Sequence, residues 1–130
     1  MHEIKIKRVY DEASEDDGYR ILIDRLWPRG ISKERIKIDK WAKEITPSTA
    51  LRKTFSHNEE TMDQFKAGYY YELETNEATA EFIDLLKSKL EEGNVTLLYA
   101  ARNPIYNHAV ILKGWIQDRL SQPFMERAGR

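Results

Sequence analysis

The chain has 130 residues, 41% of them hydrophobic and 33% charged, with a formal net charge of −1. Those proportions describe one folded domain over 1–130, and the near-neutral balance excludes a global positive field that would recruit nucleic acid or a membrane surface. The lack of cysteine excludes a disulfide framework, thiolate metal sites and a cysteine nucleophile, and it suits a reducing cytoplasm.

In chain order, Ile4-Lys5-Ile6-Lys7 alternates with period two and carries lysines, the pattern of an edge or half-exposed strand. The acidic run from Asp11 to Asp17 closes on Asp17-Gly18 and reads as a solvated loop ending in a turn. A second strand is predicted over Arg20 to Arg25, with Ile21-Leu22-Ile23 apolar on both faces and therefore central. The linker between these strands is too short for a helical crossover. Its length favours a hairpin or an irregular return and leaves the direction of the first strand open.

Asp24-Arg25-Leu26-Trp27-Pro28-Arg29-Gly30 follows directly. Pro28 cannot donate to a ladder, so the strand must end before it, and Gly30 lets the chain turn away. An acid, two guanidinium groups and an indole thus gather where a strand opens into a loop. In open α/β sheets that is where ligands bind.

Residues 31–92 read as helices separated by caps. Ser32 and Asp39 are expected to cap two short turns, Pro47-Ser48 to open a helix bearing Leu51 and Phe55, and Asn58 to cap one with Met62, Phe65, Tyr69 and Leu73 on a stripe. Asn76 opens a helix with Ala78, Phe82, Leu85, Leu86 and Leu90 on one face, and Gly93 stops it. Val95 to Ala101 is a third, nearly all-apolar strand. Asn103-Pro104 is read as an N-cap with proline at the first helical position, opening a helix that buries Ala109, Leu112, Ile116 and Leu120. Pro123 ends that helix, ahead of a basic tail from Glu126 to Arg130. The expected fold class is a small α/β, three-layer, Rossmann-like domain with a short, mainly parallel sheet covered by helices. Residues 20–25 and 95–101 should lie parallel and adjacent or nearly so.

If those strands are parallel, their carboxyl ends bring Asp24, Arg25, Trp27 and Arg29 beside Tyr99, Arg102, Asn107 and His108. Arginine forks, an amide donor and a helix N-terminus make a receptor for phosphate or carboxylate. Arg25, Trp27, Arg29, Arg102 and Asn107 would hold such an anion, while Asp24 or His108 would move a proton as the catalytic pair. The alternative is architectural: Asp24 and Arg25 pair locally, and Asn107 and His108 cap and pack. His57 is a second candidate acid or base.

No His, Asp or Glu spacing suggests a metal, and there is no HExxH, no G-x-x-x-x-G-K-[ST], no G-x-G-x-x-G and no G-x-S-x-G. No cofactor is therefore assigned. Tyr69-Tyr70-Tyr71 could stack bases if exposed, but core packing is the safer reading. The competing functional class is a regulatory or nucleic-acid module using Arg29, Lys33, Arg35, Arg52 and Lys53 on phosphates. No segment reads as a leader or a membrane span, and a domain this small is expected to complete its cleft as a homodimer.

The run from Val9-Tyr10-Asp11 to the Asp24–Gly30 signature, continuing through Pro47-Ser48, Leu51-Arg52, His57, Tyr71-Glu72-Leu73, Leu98-Tyr99-Ala100-Ala101 and Asn107-His108-Ala109, resembles the YeaO-like group of the domain-of-unknown-function 488 family. The resemblance covers nearly the whole chain and implies a small α/β fold without an established activity. Longer relatives carry cysteine in C-[AS]-E and C-H-R motifs. Tyr99-Ala100-Ala101 and Asn107-His108-Ala109 stand in those places here, so thiol chemistry does not transfer. Of the second motif only His108 remains, with Arg25 and Arg102 as cationic substitutes.

Overall fold

The computed structural model describes residues 2–121. Four parallel strands form one sheet: β1 (Ile4–Arg8), β2 (Tyr19–Leu22), β3 (Lys40–Trp41) and β4 (Val95–Tyr99), in the order β1-β4-β2-β3. Its helices are α1 (Lys33–Ile36), α2 (Thr49–Arg52), α3 (Glu59–Thr75), α4 (Ala78–Glu92) and α5 (His108–Ser121), with 3₁₀ turns at Glu15–Asp17 and Lys43–Ile45. Among the described residues no helix is long and apolar enough to cross a membrane.

The expected parallel pairing of the two apolar strands is present: Ile21 lies opposite Leu97 and Leu22 opposite Leu98. β1 is an edge strand, as its lysines suggested, but it does not return as a hairpin onto β2. It runs parallel to β4 on the far side, with Ile4 opposite Val95 and Arg8 opposite Tyr99. A parallel neighbour needs no tight turn, so the short acidic linker only has to carry the chain back to the start of β2, beside β4.

Alternation along the strands divides the core. Ile21, Ile23, Leu97 and Tyr99 face one way and pack with Phe65, Tyr69 and Leu73 of α3, Phe82 and Leu86 of α4, and Leu112 and Ile116 of α5. Leu22 and Leu98 face the other way, against Val9, Ile31, Ile36, Trp27 and Trp41. These two faces make the sheet the middle of a three-layer α/β domain.

Asp17 overturns the reading of a wholly solvated acidic loop. It is buried, it contacts the Arg20 guanidinium, and Lys7 Nζ reaches its Oδ1 at 3.2 Å. Burial alone would raise its pKa. The Ser14 backbone N–H, Lys7 and Arg20 together outweigh that and hold it below the ordinary 3.8. Arg20 also donates to the Ile36 carbonyl (2.7 Å) and the Lys37 carbonyl (3.1 Å), closing the end of α1. Gly18 is obligatory here: its φ is +64°, and an added Cβ would sit 2.0 Å from the Asn94 carbonyl oxygen.

The cap residues at Ser32, Ser48 and Asn58 each accept a backbone N–H, from Arg35, Leu51 and Thr61 respectively. Asp39 does not cap a turn. Its backbone N–H donates to the Arg20 carbonyl (2.7 Å) and its carboxylate accepts the Arg20 N–H (2.8 Å), so it leads into β3. Of the tyrosine triplet, Tyr69 is fully buried and donates to the Ile45 carbonyl (2.6 Å), whereas Tyr71 is exposed. Pro123 and the basic tail lie outside the described residues.

Candidate functional site

The first observed link between the ends of β2 and β4 is Asp24. One carboxylate oxygen, Oδ2, accepts the Ala100 N–H at 3.0 Å, tying the exit of β2 to the exit of β4. From β1, Arg8 donates to the Ala100 and Ala101 carbonyls, each at 3.0 Å, so the loop after β4 is held from both sides. Nothing in the sequence marked Arg8 for this, because the contact depends on β1 being parallel to β4.

His108, the first residue of α5, comes to the same place. Its Nε2 lies 2.9 Å from the Ile23 carbonyl oxygen and 3.0 Å from Asp24 Oδ1. Both neighbours are acceptors, so Nε2 carries the proton. The hydrogen bond goes to the carbonyl, and Oδ1 stays buried beside the ring without a hydrogen bond of its own.

Asn103 does not cap α5. Its Oδ1 accepts the N–H groups of Ile105 and Tyr106, each at 2.9 Å, in a side-chain-closed turn. The cap is Asn107, whose Oδ1 accepts the Val110 N–H (3.0 Å) while its Nδ2 donates to the Asn103 carbonyl (2.8 Å). Asn107 is completely buried, and both ends of its amide are engaged. It positions the helix and has no free group to offer a ligand.

Asp24 and His108 border a cavity of about 340 Å³. Arg25, Arg52 and His57 also line it, over a floor of Ile23, Phe55 and Phe65. Arg25 is half-buried and has no ion-pair partner among the described residues. His57 stacks on Phe55 (ring centroids 4.5 Å), and Phe55 in turn stacks on Phe65 (4.1 Å). Burial and the neighbouring His108 push the His57 pKa below its ordinary 6.5. His57 also has φ +53°, in the left-handed region that few non-glycine residues occupy, and Asn103 donates to its carbonyl at 3.3 Å.

The remaining sequence candidates lie elsewhere. Trp27 is on the opposite side of the sheet, donating to the Ile31 carbonyl (2.8 Å) and meeting Trp41 edge-on at 5.3 Å. Arg29 is exposed, and its carbonyl accepts the Tyr10 hydroxyl (2.7 Å). Arg102 is exposed and outside the cavity lining. Alternation fixes side-chain direction only while the chain stays in the sheet, and it leaves the sheet at Ile23. Among the described residues no group of three or more His, Asp or Glu side chains converges as a metal site requires.

Fold and site together define a one-sheet parallel α/β protein with a cation-lined cavity at the carboxyl ends of its central strands. The chain belongs to the DUF488 family: a model described as the inactive DUF488-N3 subclade matches residues 3–128. It is similar to the uncharacterized protein YeaO of Escherichia coli (strain K12), with 46% identity over 116 residues that cover 88% of this chain and 97% of YeaO. It is also similar to the uncharacterized proteins Mb3100c of Mycobacterium bovis and Rv3073c of Mycobacterium tuberculosis. Each is 34% identical over 116 residues, covering 89% of this chain and 95% of the relative. No solved structure gives a significant match.

Proposed function

We propose that this protein binds a small anion at the carboxyl ends of β2 and β4, and that the Asp24–His108 pair is the group there able to exchange a proton with it. One observation carries the reading: Arg25, Arg52, His57 and His108 line a single cavity whose one carboxylate, Asp24, is already engaged by Ala100 and His108. Two arginines beside a carboxylate that Ala100 and His108 already engage leave a net attraction for an oxyanion. The start of α5 adds to it, since His108 both begins that helix and lines the cavity, and the first N–H groups of a helix lack intrahelical acceptors.

Asp24 Oδ1 is buried beside His108 Nε2, so exchange with a bound acid would run through the imidazole, which the carboxylate orients. The word "inactive" in the family description, together with a chain that lacks cysteine, favours recognition without a covalent step. We favour a small anion over nucleic acid because the basic residues that would contact phosphates are spread over the molecule: Arg52 lines the cavity, while Lys33 and Arg35 belong to α1 on the other face of the sheet.

Calorimetric titration with inorganic phosphate, small carboxylates and short oligonucleotides tests this directly. Arg25→Ala and Arg52→Ala should each weaken binding of a small anion by roughly 10- to 100-fold, the worth of one charge-assisted hydrogen bond. Arg25→Ala should change unfolding stability by less than about 0.5 kcal/mol, because no ion pair is lost. Binding only to oligonucleotides, or anion binding indifferent to both arginines, would refute the proposal.

A further inference from the structure

The cavity is not built like a receptor for a bare inorganic ion. Its walls below the charged rim are carbon: Ile23, Phe55, Phe65, Pro47 and Ala101, with Leu26 at the edge. Leu26 is 69% exposed, an apolar side chain left in water beside an unpaired arginine. Phe55 and Phe65 stack with their planes 5° apart, and the exposed His57 ring lies over Phe55 tilted by 36°, so the two phenylalanines turn their edges to the cavity. Among the described residues no serine, threonine, asparagine, glutamine or tyrosine lines the cavity. Acceptors for a sugar's hydroxyl protons are scarce there, since Asp24 Oδ2 and the Ile23 carbonyl are already in use.

Resting on the anion-binding reading above, we infer that the ligand is an organic anion with a flat apolar body: an aromatic ring carrying a carboxylate or phosphate. The oxyanion sits between Arg25, Arg52 and the two histidines. The ring stands against the edges of the Phe55–Phe65 stack, and Leu26 covers its outer edge. Size agrees, because a cavity of about 340 Å³ lies in the range of pockets that hold small organic ligands. Offset stacking on His57, or an edge-to-face contact with Phe55, would add specificity for a planar body over a branched one.

Matched pairs of probes on the full chain separate the two layers of the argument: benzoate against acetate, and phenyl phosphate against inorganic phosphate and glycerol phosphate, with benzyl alcohol as the uncharged control. The aromatic member of each pair should bind at least about tenfold more tightly, as expected for burying part of a ring. Saturation-transfer signals should connect its ring protons to Phe55. Leu26→Ser, an exposed change that leaves the core untouched, should shrink the aromatic advantage by about threefold while leaving acetate and phosphate affinities unchanged.

Equal affinity for phenyl phosphate and inorganic phosphate, or preference for glycerol phosphate, would overturn the aromatic inference while anion binding stood. Benzyl alcohol binding as well as benzoate would instead overturn the anion reading. Failure of every probe to bind would overturn both.

Discussion

His57 couples the cavity to pH. Its pKa in the folded protein lies below the 6.5 of the free side chain, through burial and the charge of His108. As pH falls through 6.5 the unfolded chain therefore takes up protons that the folded chain does not, and stability declines from there down to the lowered pKa. An anion beside the imidazole reverses the preference by favouring the charged ring. Small-anion affinity should thus rise as pH drops from about 7.5 to about 5.5, with net proton uptake visible as a dependence of the binding heat on buffer ionisation enthalpy. His57→Gln should flatten that dependence. A pH-independent affinity in the unmodified protein would refute the coupling. The same residue shows why sequence alone left this corner of the site incomplete. His57 was recognisable as a titratable group, but its arrival opposite His108 depends on a left-handed backbone step between α2 and α3 that no local pattern announces.

At the scale of elements, the start of α5 is the most informative. Asn103 and Asn107 each close their side chain on backbone N–H groups of the following residues. Turn and cap use the same chemistry, and proline after Asn103 is compatible with both. Only the backbone conformation that follows distinguishes them, so the cap was placed four residues early. Ser32, Ser48 and Asn58 were legible because an apolar helical stripe or turn begins at once behind each. Asp39 misled because β3 has two residues, too few to show a period. Asn107→Ala should cost about 1–2 kcal/mol of stability, the loss of a cap together with a buried amide partner. Asn103→Ala should cost less, since it loosens only an exposed turn. Urea denaturation of the two variants gives the comparison, and a larger effect at Asn103 would contradict the assignment.

Over the whole molecule, the parallel sheet and its two covered faces followed from the continuous apolar runs at 21–23 and 95–99, because strands buried on both sides need helices above and below. Asp24 and Arg25 were legible as site candidates for the same reason, since they stand where the first run stops, and His108 because it lies just beyond the second. The order of the strands was not, since nothing local says that β1 lies beyond β4. That order makes β4 the keystone, hydrogen-bonded to β1 on one side and β2 on the other. A chain ending at Gly93 keeps most of the helices yet should show no cooperative thermal transition, measurable by circular dichroism, because neither long strand would have a partner of its own length.

The position of that keystone late in the chain also sets a timetable. A ribosome working at ~5–20 residues per second needs roughly 5–20 s to reach Val95, and through that interval β1 and β2 present apolar faces and unpaired edges to the cell. Until Val95 has been made, the strand that pairs with both β1 and β2 is missing, and the sheet cannot form. A nascent chain stalled earlier would be a client for chaperones and proteases, with no half-formed pocket to protect it.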